Sequence, residues 1–127
     1  MEHRALVLHV PLRDKDPELR AELFRKVDNP YAGILYEPCH LASAGANDMR
    51  AFDVMRDYVT HAHLKDTCEI EGQMRTVWLR TGVIDFRQVV ASVESTGYAG
   101  DYAPQYEVHV EAPETGTAKW LDWFLKV

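Results

Sequence analysis

Apolar and polar positions alternate along this chain in blocks that predict strand and helix in turn, four times over. Arg4–Val10 (RALVLHV) is a compact apolar run suited to a strand buried on both faces. Asp16-Pro17-Glu18 then opens a helix: Asp16 caps it, Pro17 fits its first position, and Glu18 suits the positive end of its dipole. Leu19, Leu23 and Val27, with Phe24 beside them, predict its apolar face, and Asn29-Pro30 stops it. Tyr31–Glu37 reads as a second strand. Asn47-Asp48 can cap a second helix carrying Met49, Phe52 and Met55, and Tyr58–Leu64 reads as a third strand.

The stretch 65–82 is long and mixed, with Glu69-Ile70-Glu71-Gly72 suggesting a small hairpin. Asp85 caps the clearest helix in the chain, where Phe86, Val89, Val90 and Val93 recur at helical spacing, and Gly97 closes it. A fourth strand is expected between Asp101 and Val110. A last helix over Thr117–Val127 would be anchored by Trp120, Leu121 and Phe124. Four βα units imply parallel strands and right-handed crossovers. Periodicity leaves two arrangements open, half of a (β/α)8 barrel or a small doubly wound sheet.

Length and composition narrow the picture. With no linker or sharp repeat in sight, the 127 residues are expected to form one domain, and a complete barrel takes roughly 250 residues. The apolar and charged shares are those of an ordinary globular protein. The net charge of −6, with no basic run, argues against nucleic acid or an anionic membrane as partner. No apolar stretch is long enough to span a bilayer and no leader follows Met1, so the cytoplasm is the expected compartment. Cys39 and Cys68 are expected to be reduced, inert thiols.

Ligands of parallel α/β folds bind at the carboxyl ends of strands. The polar residues expected there are His9, Glu37 with His40, His63 with Asp66, and Gln105 with Glu107. Imidazoles and carboxylates converging from adjacent strands suit a divalent transition metal, which would polarise a carbonyl while a flanking carboxylate moves a proton. Structural roles are open for each: His40 and His63 as hydrogen-bonded strand-end histidines, and Lys65 with Asp66 as an ion pair fixing the loop. His61 is expected to point away from His63.

His61-Ala62-His63-Leu64-Lys65-Asp66, then Gly82-Val83-Ile84-Asp85-Phe86 and Gly97-Tyr98-Ala99-Gly100, resemble the end of the xylose-isomerase-like TIM barrel family. That family includes sugar and sugar-phosphate isomerases and epimerases, inosose dehydratases and hydroxypyruvate isomerases. The resemblance runs from about Leu6 to Val110 and implies four βα units forming the C-terminal half of a TIM barrel. It also implies a divalent metal (Mn, Mg, Co or Zn) and a small sugar or polyol substrate.

Laid onto this sequence, the family's first metal-ligand glutamate falls on His9, a ligand, base or substrate contact. Its Asp-x-x-His motif falls on Glu37-Pro38-Cys39-His40, its third-strand ligand on His63, and its last glutamate on Gln105. The ligand set implied is Glu37, His40, His63 and Gln105, with Asp66 at the substrate. A glutamine cannot serve as a general base at neutral pH, so the proton-transfer carboxylates left are Glu37 and Glu107. Two functions follow: an isomerase or epimerase subunit working by an enediolate, or a catalytically degenerate half-barrel that binds a ligand or another protein. Half a barrel leaves strand edges and a sheet face to cover, so a second copy of the chain or a complementary half-barrel chain is the expected partner.

Overall fold

The fold was analysed on a computed structural model, which describes residues 6–8, 16–46, 48–105, 107 and 112–126. Its core is a parallel sheet of β1 (Leu6–Leu8), β2 (Ala32–Tyr36), β3 (Val59–Leu64) and β6 (Tyr102–Pro104), in the order β1-β2-β3-β6. Neighbours in space are therefore neighbours in chain order among the parallel strands. A doubly wound sheet reverses its order at a switch point, and this one does not, which selects the barrel-type winding. The intervening β4 (Asp66–Ile70) and β5 (Gln73–Val77) form a separate antiparallel hairpin, as the mixed stretch after Leu64 suggested.

Helix α1 (Pro17–Val27) starts where expected, the Asp16 carboxylate accepting from the N–H groups of Glu18 and Leu19. Its buried side differs from the expected one. Phe24 and Arg20 face the interior, whereas Leu19, Leu23 and Val27 are each about half exposed. Spacing locates an apolar stripe on a helix but not what lies opposite it; α1 packs on α3 (Asp48–Met55) through its other side. A one-and-a-half-turn helix not foreseen from periodicity, α2 (Pro38–Ser43), follows β2 directly, with Pro38 at its first position.

Helix α4 (Phe86–Glu94) matches expectation closely: Asp85 accepts from the N–H groups of Arg87 and Gln88, and Phe86, Val89 and Val93 are buried. The final helix, α5 (Pro113–Phe124), begins earlier than expected, because Pro113 rather than Thr117 takes its first turn. Its anchors are Trp120 and Trp123; Leu121 lies 56% exposed and is not one of them.

The core lies between the sheet and these helices. Ile34 and Tyr36 meet Phe52 and Met55 on one side, with the Tyr36 and Phe52 rings 5.1 Å apart. Leu64, Ile84, Phe86, Val89 and Val93 meet Trp120 and Trp123 on the other, with Phe86 set edge-on to Trp123 at 6.1 Å. Each fully buried side chain of this size contributes about 1.5–3 kcal/mol of burial free energy. Alternation along the strands then turns Leu35, His61 and His63 to the opposite face. Among the described residues, no helix is long and apolar enough to cross a membrane.

Candidate functional site

The carboxyl ends of β2, β3 and β6 bring Glu37, His63 and Gln105 together. Gln105 is set in place by its own N–H, which donates to the Leu64 carbonyl at 3.0 Å and extends the β3–β6 pairing by one residue. Glu37 stands where β2 gives way to α2. Because α2 starts at once, His40 falls three residues on along the same helical face, and its Nε2 reaches back to Glu37 Oε1 at 3.1 Å. His63 Nδ1 faces Glu37 Oε2 at 3.6 Å. The Glu-Pro-Cys-His sequence is thus a device for holding an imidazole against its own carboxylate.

Sequence reasoning gave Lys65 only a loop role, and the structure puts it at the centre of the cluster. Its Nζ lies 2.9 Å from Glu107 Oε2 and 3.4 Å from Glu37 Oε1, and the residue is only 5% exposed. It does not pair with Asp66. Burial opposes its charge, but the hydrogen bond to Glu107 and the nearby Glu37 carboxylate outweigh burial and hold its pKa above the ordinary lysine value. The same hydrogen bond, against a smaller opposing effect of burial, lowers the pKa of Glu107. Glu107 also accepts from Gln105 Nε2. Gln105 Oε1 is buried and has no hydrogen-bond partner among the described residues. Glu37 and Glu107 therefore share the Lys65 ammonium, with His40 and His63 against the first carboxylate and Gln105 against the second. His9 lies outside the described residues.

Asp66, expected at the substrate, has another task. It is fully buried, and its carboxylate accepts from the N–H groups of Thr67 (2.9 Å), Gly82 (2.9 Å) and Ile84 (3.2 Å). The Val83 N–H completes the junction on the Thr67 carbonyl at 2.8 Å. His-Leu-Lys-Asp and Gly-Val-Ile-Asp are two halves of one latch, which ties the end of β3 to the loop before α4. Gly82 is required there, since a Cβ would stand 2.2 Å from the Thr67 carbonyl oxygen and 2.3 Å from Asp66 Oδ1.

His61 also departs from expectation. Its ring lies 5.4 Å from that of His63, edge to face, because residues two apart on a strand share a face. That alternation was the signal that could have placed it. Cys39 is buried, and burial pushes its thiol up to about 11, which disfavours a free thiolate nucleophile there at neutral pH.

Donor types alone would suit a transition metal: two imidazoles, a carboxylate and an orphaned amide oxygen. Around Glu37, the His40 ring lies 3.1 Å from Oε1, the His63 ring 3.6 Å from Oε2, and the Lys65 ammonium 3.4 Å from Oε1. Among the described residues, no group of three or more His, Cys, Asp or Glu is disposed to hold a metal ion.

The comparisons agree on the architecture. A family model described as "Xylose isomerase-like TIM barrel" matches residues 10–127. A search of curated proteins returned no significant match. Among solved structures, the fold superposes on a xylose isomerase domain protein from Planctomyces limnophilus with a TM-score of 0.77 at 19% identity, covering 96% of this chain and 45% of that one. It superposes on a xylose isomerase-like TIM barrel protein from Mycobacterium smegmatis, solved in complex with magnesium, with a TM-score of 0.76 at 14% identity, covering 96% and 42%. For 3-keto-D-glucoside 4-epimerase from E. coli the values are 0.68 and 16%, with 98% and 44% covered. The chain spans less than half the length of these structures, and its four-stranded sheet is a partial TIM barrel.

Proposed function

Because this chain belongs to the xylose isomerase-like TIM barrel family, we propose that it supplies one half of a site for isomerase or epimerase chemistry on a small hydroxy-carbonyl sugar. The observation that carries the reading is the linked cluster of Glu37, His40, His63, Lys65, Gln105 and Glu107 at the carboxyl ends of three adjacent strands. Ligands of this fold class bind at that end.

The reaction in this reading is proton transfer through an enediolate. The Lys65 ammonium faces the substrate carbonyl oxygen and stabilises the negative charge that develops on it. Glu107, ionised and about half exposed, takes the proton from the carbon beside the carbonyl and returns it to the neighbouring carbon or to the opposite face. Glu37 holds His40 and His63 by their ring nitrogens so that the rings can meet substrate hydroxyls, and Gln105 Oε1 accepts from another hydroxyl. The resemblance implies a Mn, Mg, Co or Zn ion at this place.

The remaining strands come, in this reading, from a second copy of the chain or a complementary half-barrel chain. The half-exposed stripe of Leu19, Leu23 and Val27 supports that, as do the outer strands β1 and β6, each paired on one side among the described residues. One observation favours the second function, a binding half-barrel without catalysis: both oxygens of Glu107 are already engaged, by Lys65 and Gln105.

The test is proton exchange. A panel of ketoses, aldoses and inososes is incubated with the protein in D2O and followed by NMR. Deuterium should enter the carbon beside the carbonyl of at least one member, and Glu107→Gln should slow that entry by about 10²-fold or more. Polyol binding with no exchange by the wild type would leave the binding half-barrel; neither binding nor exchange would sink both.

A further inference from the structure

We propose that the cleft between the loop before α4 and helix α5 binds a small phosphomonoester, held by Arg80 and Lys119. It uses none of the residues of the strand-end cluster, and the inference does not rest on the isomerase reading.

The chain has three tryptophans, and all of them line this one cleft: Trp78 on the loop, Trp120 and Trp123 on α5. Both walls belong to this chain, so the cleft is formed without the remaining strands of a barrel. Its volume of about 290 Å³ is small for a ligand pocket and suits an anion carried on a few carbons. Each cation is set on an indole. The Arg80 guanidinium lies 5.4 Å from the centre of the Trp123 ring, and the Lys119 ammonium 5.4 Å from that of Trp78, close enough for cation–π attraction. Trp78 meets Trp120 edge-on at 6.4 Å, which ties the loop wall to the helix wall.

Arg80 is presented from a backbone at φ +73°, which glycine adopts freely and other residues only at a cost. The turn is closed by the Thr81 N–H on the Trp78 carbonyl at 3.0 Å, and Leu79 beside it is buried. The guanidinium therefore stands on a fixed backbone, which lowers the ordering cost of capturing a ligand. None of the described residues lining the cleft is acidic, and no described carboxylate pairs with Arg80. In a chain of net charge −6, that makes the cleft a local inversion of charge. The Trp123 indole N–H is buried without a hydrogen-bond partner among the described residues, so the cleft wall also holds an unused donor. A phosphomonoester has three acceptor oxygens and a charge of about −1.5 to −2, enough to meet cations from two walls at once. A carboxylate has two oxygens in one plane, which a single guanidinium satisfies.

The experiment is an NMR titration of the untagged full chain with sodium glycerol 3-phosphate, read on the three indole N–H signals. Sodium acetate and sodium chloride at matched ionic strength are the controls. Glycerol 3-phosphate should shift the signals saturably, with a Kd of about 5 mM or tighter. Arg80→Gln and Lys119→Gln should each weaken binding at least ~5-fold, and Lys126→Gln, on a residue already paired with Asp122, should leave it unchanged. Should Arg80→Gln fail to fold by circular dichroism, Arg80→Gly removes the cation while relaxing the backbone and carries the same comparison. No saturable shift overturns the proposal, and so does an equal response to chloride, which would show only screening of the cation–π pairs. Acetate binding as tightly as glycerol 3-phosphate overturns the phosphomonoester, and a response confined to His40 and His63 would put the anion at the strand ends instead. None of these results bears on proton exchange in D2O, so this inference and the isomerase reading fail separately.

Discussion

Asn in place of Asp66 is nearly isosteric, yet it should cost a large share of the protein's stability. In the native latch, Oδ1 accepts from Thr67 and Ile84 and Oδ2 from Gly82, all inside a fully buried site. Asparagine keeps one carbonyl oxygen for the first two, but its amide nitrogen would face the Gly82 N–H, donor against donor. Losing one buried hydrogen bond to a charged group costs about 1.5–3 kcal/mol. The two that remain weaken, since a neutral acceptor binds about half as strongly as an ionised one. Relief of the desolvation of a buried charge offsets part of this. The net is ~2–4 kcal/mol, from a total of about 5–15 kcal/mol for a typical domain.

Urea unfolding followed by tryptophan fluorescence reads the loss directly. Trp120 and Trp123 pack beside Ile84 and Phe86, which the latch holds in place. With a slope of about 2 kcal/mol/M, in the middle of the usual range, the midpoint should fall by roughly 1–2 M at unchanged slope. A midpoint within ~0.2 M of wild type would refute the account of Asp66 as the residue that ties β3 to the loop before α4.

Gly82→Ala should destabilise by about 1–3 kcal/mol in the same assay, because the new Cβ meets the Thr67 carbonyl oxygen and Asp66 Oδ1 at 2.2 and 2.3 Å and neither can retreat without breaking the latch. Light scattering at micromolar concentration should give a mass above the 14.5 kDa of one chain, and Leu23→Glu should reduce it; a well-folded wild-type monomer would count against a second copy as the partner.

Much of the fold was legible where the determinants are local. Asp16-Pro17 and Asp85 announced two helices through capping that spans three residues, and Phe86, Val89 and Val93 named the buried side of α4 correctly. The strand carrying His63 was visible as Tyr58–Leu64, one residue longer than the observed Val59–Leu64. The same local rules misjudged α1, whose Leu19, Leu23 and Val27 form a sound apolar stripe that the described fold leaves half exposed. They also passed over α2 (Pro38–Ser43), too short to show a period.

The site divides along the same line. Which residues carry polar chemistry at the strand ends was a matter of sequence: Glu37, His40, His63, Gln105 and Glu107 were all candidates, and the structure gathers them. Whether the strands wind in one direction or reverse, whether Asp66 meets a ligand or three backbone amides, and which charge Lys65 answers were decided only by tertiary structure. The reason is range. Capping and periodicity act within a turn or two of chain, whereas the Lys65–Glu107 bond joins residues 42 apart and the Asp66–Gly82 bond residues 16 apart. Such pairings exist only once the sheet has set β2, β3 and β6 side by side, and they turn a line of candidate ligands into a cluster built around a lysine.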